Sequence, residues 1–233
     1  MVEITDYALN IRHFQPDTFR RLVTTTILRV LAPYVDRDRV TLDVGGNTGH
    51  MAYFFSEHSK HVHSYEAVEL VYQRLKLLEQ VRTNITVHNL AMSNFCGTAT
   101  FYVDHKRLSN SSFLNLVDGP PVDVPVASID SLNRDDVGFI KIDVEGTELD
   151  VIKGADETIG RCRPNMMVEI YKPYANDPLD AIFAYLMERD YNCYYYDHSK
   201  PEGLVPVPDV AAGVEAVETL HDIHDGDFLF VAR

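Results

Sequence analysis

Carboxylates recur in this sequence at the downstream ends of apolar runs: Asp43 in TLDVGGNTGH, Glu66 in HSYE, Asp143 and Glu145 in FIKIDVEG, and Glu169 in MMVE. Acids in such places can grip a ribose diol, receive an ammonium, take a proton from a hydroxyl or hold a divalent cation through oxygen ligands. Asp143 and Glu145 are two residues apart, so an unbroken strand would point them the same way, and Glu169 ends a neighbouring run at the same edge. If the three converge, repulsion and partial burial raise at least one pKa, which suits a general base; a divalent cation is the other way to offset the charge. Of the two, a base is favoured. Glu148 reads first as a helix cap, and Glu145 divides evenly between capping and chemistry.

Between Asp43 and Glu66 lies a glycine turn, GxNxG from Gly45 to Gly49. Gly45, Gly46 and Gly49 allow positive φ and close backbone approach, Asn47 tolerates the same geometry, and amides at the helix start offer donors to a ligand. The spacing is not the GxGxxG that seats a pyrophosphate, which counts against a nicotinamide cofactor. Asp43 could take an ammonium directly or through water. Glu66 follows it by about 20 residues, the distance at which an acid grips a ribose in a βαβ nucleotide site. Adenosine carrying an amino acid fits both, and S-adenosylmethionine is that molecule.

The elements that must position these residues follow from apolar periodicity. Strands are predicted at 40–44, 61–66, 85–90, 138–143, 166–170, 192–196 and 228–232, and helices at 49–56, 70–79, 147–159 and 179–188, preceded by one from an Asp17 cap to about Ala32. Alternation of this kind gives an α/β sheet. Residues 93–130 read as an irregular insertion over the site, with a hairpin turn at Gly97. The tyrosines of YNCYYYD read as core, and 214–227 as a solvated connector. Ten histidines form no metal-binding spacing; His50 and His105 lie nearest the chemistry, with His198 and His221 no better placed.

With 233 residues, 45% hydrophobic and 24% charged, one soluble domain over 1–233 is expected, its first 39 residues a helical extension. The formal net charge of −14 disfavours a nucleic-acid partner. Cys96, Cys162 and Cys193 are widely spaced and read as reduced thiols. No membrane span and no signal peptide is legible, so a cytoplasmic location is expected.

The segment FIKIDVEGTELDVIKGA resembles the FkbM family of S-adenosylmethionine-dependent methyltransferases, whose hallmark is K-I-D-x-E-G-x-E before an apolar-periodic helix and a GA pair. Lys141, Ile142, Asp143, Glu145, Gly146 and Glu148 match. The similarity continues through Asp43, Gly45, Asn47, Gly49, Glu66, the stretch from Ala91 to Ser93, Ser112, Asp130 and the RP...E pattern ending at Glu169. It departs at Gly46, often Ala in the family, and at YEAVE, which replaces FEPxP. The resemblance implies a class I methyltransferase fold: a Rossmann-like seven-stranded sheet with helices on both faces and the last strand antiparallel. It implies methyl transfer to a hydroxyl of a sugar, glycolipid or polyketide-type natural product. Asp43 to Gly49 would surround the methionine end, Glu66 the ribose and Ala91 and Met92 the adenine, with Asp143 beside the transferred methyl. Methyltransferases of this size often pair, so a homodimer is a further expectation. The competing readings are an NAD-dependent oxidoreductase, opposed by GxNxG, and a cofactor-binding module without turnover, opposed by Asp143 and Glu169.

Overall fold

The computed structural model describes residues 26–103, 121–173, 175–197, 200, 203–219 and 226–233. Eight strands form the main sheet: β1 (Val40–Val44), β2 (His61–Tyr65), β3 (Ile85–His88), β7 (Val137–Ile142), β8 (Asn165–Glu169), β9 (Tyr191–Tyr196), β10 (Leu204–Val207) and β11 (Asp227–Ala232). Their order is β10-β9-β11-β8-β7-β1-β2-β3. Strands β3, β2, β1, β7 and β8 pair in parallel, while β11 runs antiparallel between β8 and β9. Every residue of β1 and β7 is buried, as expected of parallel strands covered on both faces.

Helices supply that cover. On one face α1 (Thr26–Leu31), α2 (His50–His58) and α3 (Glu69–Leu75) bring Leu28, Leu31, Phe54, Phe55 and Leu75 against Val62, Phe139, Met167 and Leu229. On the other, α4 (Glu148–Lys153), α5 (Asp156–Cys162), α6 (Asp180–Met187) and α7 (Val210–Thr219) bring Leu149, Ile152, Ile159, Phe183 and Val217 against Leu42, Ile140, Val168 and Phe230. Strand residues two apart share a face, so this division follows the period of two in the sequence.

The structure departs from the sequence reading at several points. The sheet has eight strands, not seven. The extra one, β10, is LVPV, whose Pro206 cannot donate to a ladder and is tolerated because the strand lies at the edge. The predicted 147–159 helix is broken between α4 and α5 at Gly154 and Ala155. A side chain on Gly154 would start 2.1 Å from the carbonyl oxygen of Ser93, and Asp130 caps the new start, accepting from the amides of Glu157 (3.0 Å) and Thr158 (2.8 Å). The supposed connector 214–227 is helical as far as Thr219. Gly97 opens a strand instead of turning a hairpin: β4 (Ala91–Met92), β5 (Gly97–Tyr102) and β6 (Pro121–Ala127) make a second sheet in the order β4-β6-β5. Asp17, His105, Ser112, His198 and His221 lie outside the described residues. No described helix is long and apolar enough to cross a membrane.

Candidate active site

Chain order reverses at β1, which lies between β2 and β7, and loops leaving such strands diverge to open a crevice at their C-terminal ends. An open cleft is found there. Gly45, Asn47 and Glu66 line one part of it, Ala67, Val68, Leu90, Ala91, Met92 and Phe101 an apolar part, and Asp143, Val144 and Glu145 another.

The glycine turn is held from below. The amides of Gly45 and Gly46 donate to the carbonyl of Tyr65 at 3.0 and 2.9 Å, and Gly45, Asn47 and Gly49 all have positive φ. Glu66 accepts the Asn47 amide on Oε2 and the Val68 amide on Oε1, each at 2.9 Å. Each oxygen keeps a further lone pair for a ligand hydroxyl. Burial raises its pKa, against the two amide bonds and the charge of Lys141. Gly46 is closely packed: a Cβ there would lie 2.3 Å from the Ser64 hydroxyl and 2.5 Å from Leu75, so Ala would force these side chains to shift.

Behind the turn, on one face of the sheet, Ser64, Asp43 and Lys141 are cross-strand neighbours on β2, β1 and β7. Asp43 is fully buried and does not line the cleft. Its Oδ2 accepts the Ser64 hydroxyl at 2.6 Å, and its Oδ1 lies 3.8 Å from the Lys141 ammonium without a hydrogen bond. Burial raises the Asp43 pKa, opposed by Lys141 and Ser64. Lys141, 4% exposed, donates to the Gly45 carbonyl at 2.6 Å and lies 3.1 Å from Asp143 Oδ2. Burial would lower its pKa, but Asp143 and then Asp43 outweigh that and the net shift is upward.

Asp143, Glu145 and Glu169 come together, with one carboxylate oxygen of each within 4.8 Å of the others. The route differs from the one the spacing suggested. β7 ends at Ile142, and Glu145 has φ 58, so a left-handed turn rather than strand alternation brings it back toward Asp143. Burial first, then the charges of Asp143 and Glu148, push Glu145 up to about 8. Glu169 is driven well above the carboxylate range by burial, by the charge of Asp143 and a hydrogen bond with it, and by Asp227 and Glu145. A shared proton and an oxygen-ligated cation are both compatible with such a spacing. Glu148 accepts the amides of Val144 (3.2 Å) and Gly146 (2.9 Å), so it braces the turn before α4; burial pushes it up to about 6.

Gly49 caps α2 at its start, and His50 beside it contacts Thr48 and is not in the cleft wall. Three residues that build the site, Phe101, Lys141 and Ser64, escaped sequence reasoning. Phe101 comes from β5, in a segment whose pattern was irregular. Lys141 was seen as part of a motif, yet a lysine inside FIKI is itself a signal, because an ammonium in a buried strand needs acids nearby. Tyr65 also lines the cleft, stacked on His88 with centroids 4.7 Å apart.

Comparison with known proteins places these residues in a family. The model of the methyltransferase FkbM domain matches residues 43–193. Among solved structures, the chain is similar to methyltransferase FkbM from Methylobacillus flagellatus KT, with a TM-score of 0.55 at 18% identity, covering 83% of this chain. The match spans 43% of the Methylobacillus chain. It is also similar to an rRNA methylase from Streptococcus thermophilus (TM-score 0.47, 13% identity, covering 88% of this chain and 92% of that one). A third match is SMU.1697c from Streptococcus mutans, solved in complex with SAH (0.49, 12%, 88% and 93%). No curated protein matches. Since the family match takes in the glycine turn, the carboxylate turn and more than half of the chain, the protein belongs to the FkbM methyltransferase family.

Proposed function

We propose that the protein is an S-adenosylmethionine-dependent O-methyltransferase acting on a hydroxyl of a small molecule, a sugar, glycolipid or polyketide-type natural product. The observation that carries this reading is the layout of one cleft, with Glu66 beside an apolar wall and Asp143 and Glu145 near the glycine turn. The donor set suits a nucleoside joined to an amino acid. Glu66 offers acceptors for a ribose diol, Ala91, Met92 and Phe101 suit an aromatic base, and the turn from Gly45 to Asn47 suits the amino-acid end. Asp43, Gly46 and Gly49 support the turn from behind, and Asp143, in the cleft wall, would face the methyl group being transferred. Bound there, the cofactor supplies a methyl group already activated on a sulfonium.

The residues then have to hold the acceptor in line and take its proton. Glu145 and Glu169 favour their neutral forms, so Asp143, ion-paired with Lys141, is the member of the trio suited to accept a hydrogen bond from the acceptor hydroxyl. The formal charge of −14 disfavours nucleic acid. A divalent cation held by the same trio is the second reading, favoured by their mutual spacing.

Calorimetric titration with S-adenosylhomocysteine and, separately, NAD tests the cofactor. Saturable binding of the former, weakened at least tenfold in Glu66→Ala, is expected; binding of NAD alone would overturn the reading. Labelled S-adenosylmethionine with a panel of sugars and natural-product alcohols, with and without a chelator, then tests acceptor and cation.

A further inference from the structure

We propose that Lys141 is a positioning residue that locks the glycine turn to the Asp143 carboxylate, so that cofactor seat and acceptor-facing acid keep one fixed relation. The proposal rests on the methyltransferase reading of the cleft.

An ammonium is strongly hydrated, and burying it is costly unless its three N–H bonds find acceptors. Lys141 sits between Ile140 and Ile142 in a fully buried strand. Its acceptors come from two places. Towards β1 are the Gly45 carbonyl at 2.6 Å and the Val44 carbonyl at 3.5 Å; just past the end of β7 is Asp143 Oδ2 at 3.1 Å. Asp43, at 3.8 Å, adds charge rather than a bond.

The Gly45 carbonyl belongs to the peptide whose amide, that of Gly46, donates to Tyr65. Fixing that peptide fixes the path to Asn47, whose amide ends on Glu66. One cation therefore tethers both the carboxylate expected at the reaction and the turn that leads to the ribose acid. A pair that only stabilised the fold could bond Asp43 and Asp143 without touching the turn. Arginine is no substitute, because a planar guanidinium cannot reproduce the directions of a compact ammonium.

The test uses the full chain with ¹⁵N-labelled lysine and backbone amides, and S-adenosylhomocysteine as the probe. A buried Lys141 ammonium should give an exchange-protected ¹⁵N signal that moves when the probe binds. Asp143→Asn keeps the lysine and its cavity; it should shift that signal and also the amides of Gly45, Gly46 and Asn47. Lys141→Gln should bind the probe at least tenfold more weakly. Probe affinity within twofold of wild type in a folded Lys141→Gln, or turn amides unmoved in Asp143→Asn, would each overturn the lock. If Lys141→Gln does not fold, the Asp143→Asn amides decide. If wild type does not bind the probe, the cofactor reading fails, and the same amides still settle whether the lock exists.

Discussion

The carbonyl oxygen of Asp143 occupies the place where a side chain on Gly45 would begin: a Cβ built there would lie 1.8 Å from it. Two strand ends, β1 and β7, therefore meet with no atom to spare, and Gly45 also has φ 80, a conformation costing other residues about 1–2 kcal/mol. Since the obstacle is backbone, it cannot swing aside. Gly45→Ala should lower the melting temperature by several degrees and weaken S-adenosylhomocysteine binding more than tenfold, as read by thermal unfolding and calorimetry.

Gly160, inside α5, is the opposite case. Nothing lies within 4 Å of its added Cβ. Gly160→Ala should stabilise the protein by about 0.5–1 kcal/mol through helix propensity and a less flexible unfolded chain. Urea unfolding measures this; a loss of stability would mean that α5 is not a regular helix at that point.

Asp130 holds three donors at the start of α5: the amides of Glu157 and Thr158, and the Thr158 hydroxyl at 2.7 Å. Asp130→Ala removes a helix cap and should cost about 1–2 kcal/mol in chemical denaturation. Cofactor-product binding should stay within a few-fold, since Asp130 does not line the cleft.

The raised carboxylates make stability fall with pH. A folded-state pKa above the unfolded value near 4.5 means that the native state binds more protons, so the stabilisation is complete below pH 4.5 and lost as pH rises through the folded value. For Glu145 that window runs from 4.5 to about 8, and for Glu169 it extends higher. His63, lowered to about 4 chiefly by burial, acts oppositely as pH falls below 6.5, so a comparison above neutrality isolates the acids. Between pH 7 and 9 the melting temperature of wild type should drop, and that of Glu169→Gln should drop less. Parallel curves for the two proteins would remove Glu169 from this account.

Much of the site could be read in the sequence because its parts sit where chain direction is locally determined. A glycine turn after VTLDV and an acid ending HSYE announce themselves by type and position, as does the carboxylate turn after FIKI. Apolar runs marked β1 and β7 as buried strands, and glycines marked the turns that follow them. Lys141, Ser64 and Phe101 were not assigned to the site, because their importance lies in neighbours far along the chain. Lys141 reaches the Gly45 carbonyl, Ser64 bonds Asp43 across a strand pair, and Phe101 enters the cleft from a separate sheet.

Local chemistry by itself determined the strand-turn-helix units, the family signature and the acids that face the crevice, since each depends on residues within a few positions. Tertiary structure decided the rest. It turned Asp43 away from the cleft, broke the 147–159 helix where Gly154 meets Ser93, and gathered Asp143, Glu145 and Glu169 through a left-handed turn. Burial, desolvation and close backbone approach arise only when distant segments pack, and no local pattern encodes them.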